Sequence, residues 1–318
     1  MPDWVSHLGA AYIGARLAGV RKIQIVLIGA ILPDVAMPVF VAADLWHLPL
    51  SRDNFAYLLG FHSLLIVSLL AAALAVVRAH PIRSFLLLLA GALTHFALDV
   101  LETDIDCGMR ILQPFLYWSW SPGWLTPGGL PSILLLIVSA IAIVVTLSQR
   151  AQLRLEVIRP KLMNLCFAAG LSVLAVLLPL STRRMLVNEN VHSLAFLADP
   201  ARWEGQTVDL CFSEVIGISP LSIKELGREF KLANTEGLRV GDQVSVRGTY
   251  RDRTIYPTRL YNHHGFSDAW ISLIGLVALL AILIPAKTNR GFVQQKRLFI
   301  HDRIKDATLR LAWRKKTN

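Results

Sequence analysis

Five ionisable residues, all of types that ligate metals, interrupt the apolar stretches of this sequence: His7, Asp34, His62, His95 and Asp99. A charge at the centre of a bilayer costs roughly 3 kcal/mol or more, so such residues usually face the interior of a helix bundle and serve a function. A hydrogen bond to a neighbouring helix would explain any one of them. The whole set instead predicts one shared metal site.

The spacing of these residues supports a shared site. His95 and Asp99 are four apart, so a helix places both on one face with their Cβ atoms about 6 Å apart, close enough to bind one cation. The alternative is that Asp99 only orients the His95 ring. Asp34 follows Pro33, whose ring removes a backbone donor and disturbs the helix. The opened turn would let the Asp34 carboxylate lean inward, and the alternative is a kink with a solvated carboxylate in a water cavity.

The ligand types predict the metal and the reaction. Imidazole and carboxylate without thiolate suit zinc best, with manganese or magnesium as the alternatives. Bound zinc lowers the pKa of its water toward about 7, which yields hydroxide at neutral pH. Asp34 and Asp99 are the candidate catalytic residues, because either carboxylate could accept the proton when hydroxide attacks an ester. A site of this kind could therefore hydrolyse a phosphoester or another ester.

Membrane helices are the elements that must position this site. The chain is 54% hydrophobic and 17% charged, whereas soluble domains carry about 25% charged residues. A spanning helix needs roughly 20 mostly apolar residues. Segments that approach this are 23–43, 55–77, 82–100, 131–147, 162–180 and 267–286, and 4–20 is a weaker candidate. We therefore expect a polytopic α-helical membrane protein of about seven helices, with a hydrolase-like domain at 1–180 and a final transmembrane helix at 267–286.

The charges of the links predict the orientation. Residues 287–318 hold ten Lys or Arg against two Asp, which is +8 of the net charge of +10. Basic links alternate with neutral or acidic ones, and basic links stay in the cytoplasm. This predicts a multi-pass membrane protein with a cytoplasmic tail at 287–318 and with 181–266 outside the cytoplasm. Counted along straight helices, the ionisable residues fall in the outer third of the bilayer, except Asp34, about 13 Å from the outer end of its helix. We therefore expect a lipid or lipid-linked substrate from the outer leaflet.

Residues 190–264 differ in character from the rest of the chain. Short apolar runs alternate with turn signals, and Val244, Val246 and Gly248 alternate with polar partners, as in half-buried strands. Several short strands in this length predict a small closed all-β barrel of OB-like type. Residues 181–266 carry eleven Lys or Arg against ten Asp or Glu, a balance that argues against nucleic acid as a partner. We expect a lid or a docking module for a protein partner.

An ordered set of motifs in residues 1–125 resembles a known family. His7 is followed by GAILPDV around Asp34, FHSLL around His62 and THFALDVLETD around His95 and Asp99, with Gly108 and Pro114–Phe115 after them. The set resembles the YdjM-type membrane-bound metal-dependent hydrolases, which are associated with LexA-regulated responses to DNA damage in bacteria. The resemblance implies a divalent-metal hydrolase site with these His and Asp residues as ligands. Tyr57 and Leu58 stand where the family commonly has a His–Arg pair, and 190–264 lies outside the resemblance.

Other features leave alternatives open. Glu102, Asp104 and Asp106 could hold a second cation or form a solvated acidic loop, and Cys107 and Cys211 could form a disulfide. The stretch LYWSWSPGW predicts an interfacial aromatic belt. The tail fits a basic amphipathic helix on the inner leaflet or a simple positive-inside anchor. The alternative to a hydrolase is a non-enzymatic assembly or transport component, with the polar cluster as an ion path and the barrel as a partner-binding domain.

Overall fold

The computed structural model describes residues 3–46, 48, 50–102, 110–116, 121–126, 129–149, 161–233, 236–263 and 268–284. These form a helical body and a β-barrel. The helices are α1 (Trp4–Leu17), α2 (Ile23–Ile31), α3 (Met37–Leu45), α4 (Arg52–Leu59), α5 (Leu64–Val76), α6 (Pro81–Leu101), α7 (Leu130–Ser148), α8 (Leu162–Asn188), α9 (Leu194–Ala198) and α10 (Asp268–Leu283). The strands are β1 (Thr207–Ile218), β2 (Leu221–Glu225), β3 (Arg228–Leu232), β4 (Gln243–Arg251) and β5 (Thr254–Asn262).

Several helices could cross a membrane. Among the described residues, α6, α7 and α8 are long and apolar enough, and the number rises to five if α2 with α3 and α4 with α5 each count as one bent span. The other two predicted spans form α1 and α10, which are shorter, at 14 and 16 residues. The predicted combination of apolar helices with a closed barrel is confirmed, while the count of about seven spans stays a prediction.

Two of the predicted spans, 23–43 and 55–77, are broken, and only the first break was predicted. In the first, a 3-10 turn at Leu32–Asp34 follows α2, and Met37–Ala43 is bent by 53° from Ile23–Asp34. In the second, α4 and α5 are bent by 62°. Pro33 accounts for the first break, as predicted. At the second, Gly60 lies against α8, because a Cβ there would be 2.8 Å from the Cβ of Pro179.

The backbones of α2 and α6 approach each other closely through two glycines. A Cβ on Gly29 would lie 2.0 Å from the carbonyl oxygen of Leu88, and one on Gly91 would lie 2.0 Å from that of Val26. Small residues at helix crossings allow this kind of contact in membrane proteins. The crossing places the end of α2 directly against the middle of α6.

Residues 207–262 form a closed five-stranded barrel with the strand order β1-β2-β3-β5-β4. Neighbouring strands are antiparallel except β3 and β5, which are parallel. The barrel core includes Leu210, Ile223, Val246 and Ile255, all fully buried. It confirms the predicted small closed barrel, but the strands begin only at Thr207, because the first part of 190–264 forms α9 and 3-10 turns. In the strands, apolar residues alternate with polar ones, so the apolar side chains face the interior of the barrel.

One carboxyl group is buried in the barrel. Glu225 accepts hydrogen bonds from the Ser213 hydroxyl at 2.8 Å and from the Cys211 backbone N–H at 3.2 Å. Burial raises the pKa of Glu225 to about 8, and the two hydrogen bonds lower it only in part. The Glu225 carboxyl group therefore stabilises the irregular part of β1, where the pairing register with β4 shifts between Leu210 and Ser213.

The barrel is joined to the helical body by packing and by the length of α8. That helix continues to Asn188, beyond the predicted end at 180, and leads into a turn and α9. Leu226, in the turn between β2 and β3, packs with Ala56, Leu186 and Leu194 and also against the barrel core. The barrel therefore contacts the same α4–α8 region that flanks the second helix break.

Some predictions fall outside the described residues. They concern Asp104, Asp106, Cys107 and Gly108, the aromatic residues Tyr117, Trp118 and Trp120, and the tail at 287–318. Of the remaining cysteines, Cys211 is disulfide-bonded and Cys166 is free.

Candidate metal centre

The five predicted ligand residues meet in one cluster. His62 Nε2 and His95 Nε2 each lie 3.1 Å from Asp99 Oδ2, and they lie 3.5 and 3.6 Å from Asp34 Oδ1. The two nitrogens are 3.2 Å apart. His7 Nε2 lies 3.3 Å from Asp99 Oδ1. Two overlapping sets could each hold an ion: His7 with His95 and Asp99, and Asp34 with His62 and His95.

Continuous helices and helix breaks contribute different ligands. His7 projects from α1, and His95 and Asp99 project from one face of α6, as their spacing predicted. Asp34 ends the 3-10 turn after α2, and His62 lies in the break between α4 and α5. Irregular backbone at membrane depth is tolerated where it is buried in protein or lines a cavity. The two broken spans therefore bend at the positions where they supply a ligand.

The closest ring contact in the cluster joins α1 to α6. The His7 and His95 rings stack with centroids 3.6 Å apart and planes 11° from parallel. On another side, α1 packs closely against α10, since a Cβ on Gly275 would lie 2.6 Å from the Cβ of Trp4. His7 is part of the cluster even though the 14-residue α1 was the weakest predicted span.

Two hydrogen bonds orient the ligands from behind. The Nδ1 of His95 lies 2.7 Å from the carbonyl oxygen of Ala30, which fixes this nitrogen as the N–H and leaves Nε2 as the atom facing the cluster. Trp4 Nε1 donates to Asp34 Oδ2 at 2.8 Å, which leaves Oδ1 facing the cluster. The alternative in which Asp99 only orients His95 does not fit, because Ala30 performs that task and Asp99 Oδ2 approaches Nε2.

The cluster buries polar atoms that make no hydrogen bond of acceptable geometry, although they lie within ion-pair distance of one another. Within the described residues, neither oxygen of Asp99 and neither ring nitrogen of His7 has a hydrogen bond of acceptable geometry. The side chains of His7, His95 and Asp99 have no exposed surface. An uncompensated buried charge is strongly destabilising. A bound cation would satisfy these atoms, so the donor set fits a divalent metal.

The spacing of the donor atoms also fits metal ligands better than ion pairs. Charge-assisted hydrogen bonds are about 2.7–2.9 Å long. Ligands held about 2.1 Å from a tetrahedral ion lie about 3.4 Å from each other. The nitrogen–oxygen distances in the cluster run from 3.1 to 3.6 Å. All of them exceed the hydrogen-bond lengths, and they scatter around the separation expected between two ligands of one metal ion.

His62 marks the side on which the cluster is accessible. Its side chain is 11% exposed, whereas those of the other four ligands are 0–2% exposed. The His62 ring packs edge-on against Phe96, with centroids 5.2 Å apart. A small molecule would therefore reach the cluster along His62.

Neither Tyr57 nor Glu102 belongs to the two donor sets found among the described residues. Tyr57 donates its hydroxyl to the carbonyl oxygen of Val176 at 3.3 Å. Glu102, expected in a solvated acidic loop, is 7% exposed, so that expectation was wrong for this residue.

Sequence reasoning missed two contributors to the site. Trp4 lies three positions before His7, on the same face of a helix, and this spacing could have indicated it. The carbonyl group of Ala30 is a backbone group and carries no signal in the residue type. Its contact with His95 follows from the glycines at the α2–α6 crossing.

Comparisons with protein-family models, curated proteins and solved structures match nothing for this chain. The geometry of the cluster is therefore what the structure contributes on function.

Proposed function

We propose that this protein is a membrane-embedded, metal-dependent hydrolase that acts on a phosphoester or ester of a lipid or lipid-linked molecule. The observation that carries the proposal is the meeting of three imidazoles and two carboxylates, with both Asp99 oxygens buried beside imidazole nitrogens and without a hydrogen bond of acceptable geometry. Zinc suits this donor set best, with manganese or magnesium as alternatives. The YdjM-type resemblance agrees with it.

A bound divalent ion would supply a Lewis acid and a water with a pKa near 7. The chain itself would supply orientation and proton transfer. Ala30 and Trp4 hold His95 and Asp34 so that one donor atom of each faces the cluster. Asp34 and Asp99 are the candidate proton acceptors, because each presents a carboxylate oxygen within 3.6 Å of a neighbouring imidazole nitrogen.

The proposed substrate class follows from the surroundings of the cluster. Apolar helices flank it, and His62 is the ligand with the greatest exposure, at 11%. Lipid headgroups reach such a site more easily than soluble polymers do.

The direct test is a hydrolysis panel of phospholipids and lipid phosphates with purified, metal-loaded protein. We expect release of headgroup or phosphate by the wild type and its loss in Asp99→Asn. Asp53→Asn is the matched control, because Asp53 lies in α4 with 59% of its side chain exposed. Metal-loaded protein that hydrolyses nothing in the panel, or equal hydrolysis by Asp99→Asn, would contradict the proposal.

We infer that the barrel lies outside the cytoplasm of a bacterium, in a protein of the inner membrane. The alternation of basic and neutral links supports this orientation. The disulfide of Cys211 supports it as well, since disulfides persist in oxidising compartments. The strand order suits an OB-like docking or lid domain, and a protein partner remains our proposal for it.

A transport component is the second candidate function. The observation that favours it is the pair of bent spans that meet at the polar cluster, since broken helices form the binding sites of many transporters. The two candidates predict different results. Stoichiometric metal with hydrolysis supports the enzyme, whereas pH-dependent ion flux in liposomes without bound metal supports transport.

A further inference from the structure

The break that carries His62 is held by a neighbouring segment of the chain. Residues 110–116 pass beside it, and the Leu64 backbone N–H donates to the carbonyl oxygen of Ile111 at 2.9 Å. The side-chain amide of Gln113 donates through Nε2 to the carbonyl oxygen of Leu59 at 3.1 Å and lies 3.5 Å from that of His62. The Leu59 carbonyl also accepts the backbone N–H of His62 at 3.1 Å. Gln113 therefore binds the last carbonyl group of α4 together with that of His62 inside the break.

The other atom of the same amide is unsatisfied. Gln113 is 6% exposed, and its Oε1 is buried without a hydrogen-bond partner in the described residues. Exchanging the two ends of the amide would point an oxygen at two carbonyl oxygens, so the orientation is set. A buried acceptor without a partner is destabilising, so this oxygen needs a donor.

Gln113 also lines a small cavity of about 10 Å³, enough for roughly one water molecule. Ser63 and Thr182 line the same cavity. The oxygen of Ser63 accepts the backbone N–H of Ile66, which leaves its own O–H free to donate to a water. A water there would find three polar partners, the usual number for a buried one.

The position of the His62 ring depends on the local backbone more than the positions of the other four side chains do. His7, His95 and Asp99 lie within helices, and Asp34 is held by Trp4. His62 lies on non-helical backbone and is the most exposed of the ligands. A shift of its carbonyl would move the ring within the cluster.

We propose that Gln113, held by one ordered water in this cavity, is the positioning residue for His62. The inference rests on the proposed metal site, but its tests separate the two. It does not place Gln113 in contact with substrate or metal.

The test is a double-mutant cycle on metal affinity, measured by competition with a chromophoric chelator. Gln113→Leu should weaken binding about 10–100-fold, the range for residues that orient metal ligands. In a His62→Ala background the same substitution should have no further effect. Gln206→Leu is the matched control, because the Gln206 side-chain amide donates to the carbonyl oxygen of Arg202 on the exposed surface of the barrel domain. An unchanged affinity in Gln113→Leu, or an equal loss in both backgrounds, would overturn the proposal.

Two measurements decide the proposal without bound metal. Gln113→Leu should speed amide hydrogen exchange in residues 60–64. Unchanged exchange there would refute the claim that Gln113 holds the break in place. A high-resolution cryo-EM map should show a density peak within hydrogen-bond distance of Gln113 Oε1. A cavity without density would refute the claim that an ordered water binds there. Wild-type protein that binds no metal would contradict the proposed function, while these two results would still test the role of Gln113.

Discussion

The crossing of α2 and α6 provides a sharp test of how the metal centre is built. A Cβ on Gly91 would lie 2.0 Å from the carbonyl oxygen of Val26 and 2.7 Å from the backbone nitrogen of Ala30. Carbon–oxygen contacts are normally at least about 3.3 Å, so Gly91→Ala should push the two backbones apart by about 1.3 Å. Ala30 also supplies the carbonyl oxygen that lies 2.7 Å from His95 Nδ1. The substitution should therefore stretch that contact to about 4 Å, beyond hydrogen-bond range.

The expected consequence is a weaker metal site in a protein that still folds. Overpacking costs about 1–3 kcal/mol of stability. Loss of the contact that orients a ligating histidine costs about 10–100-fold in metal affinity, or about 1.4–2.8 kcal/mol. The assay is chelator competition on detergent-purified protein, combined with thermal unfolding followed by circular dichroism.

Two alanine substitutions are matched controls for Gly91→Ala. Gly170 in α8 has open space around it, so Gly170→Ala should leave metal affinity unchanged. Gly248→Ala should overpack the barrel instead, since a Cβ there would lie 2.4 Å from the carbonyl oxygen of Tyr256. It should lower stability and leave metal affinity unchanged. Wild-type affinity in Gly91→Ala, or an equal loss of affinity in Gly248→Ala, would refute the reasoning.

Three further outcomes follow from the structure. Trp4→Phe keeps the ring but removes the donor to Asp34 Oδ2, so metal affinity should fall about 10-fold in chelator competition with little change in melting temperature; an unchanged affinity would contradict this role. Folding raises the pKa of Glu225 from 4.5 to about 8, so its contribution to stability is complete below pH 4.5 and is lost as the pH rises through 8; melting curves of Glu225→Gln should lack this decline, and a parallel decline would count against it. Maleimide labelling of denatured protein should modify Cys166 at once but Cys211 only after reduction, and early labelling of Cys211 would oppose an oxidising location for the barrel.

Local sequence signals were sufficient for part of the site. The spacing of His95 and Asp99 placed both side chains on one face of α6, and Pro33 indicated the opened turn at Asp34. Both depend on the local backbone alone, so the residue types carried the information. The strands of the barrel were predictable for the same reason, from the alternation around Val244 and Val246.

Tertiary contacts determined what the sequence could not reveal. The stretch around His62 is continuously apolar, and its helix breaks where Gly60 meets Pro179 of α8. Counting 13 Å along a straight helix placed Asp34 deeper than the other ligands, but the helix bends by 53° there, so residue number does not measure depth. The end of α8 was predicted too early, because the prediction counted only apolar residues. The last turns of α8 extend into a polar stretch that leads to the barrel.

The central claim is that the buried imidazoles and carboxylates bind a common cation. Elemental analysis of detergent-purified protein, compared with His95→Ala and Asp99→Ala, measures this directly. We expect one or two equivalents of zinc or manganese per wild-type chain and none in either variant, because His95 belongs to both donor sets and Asp99 contacts all three imidazoles. Equal metal content in the wild type and both variants, or none in the wild type, would contradict it.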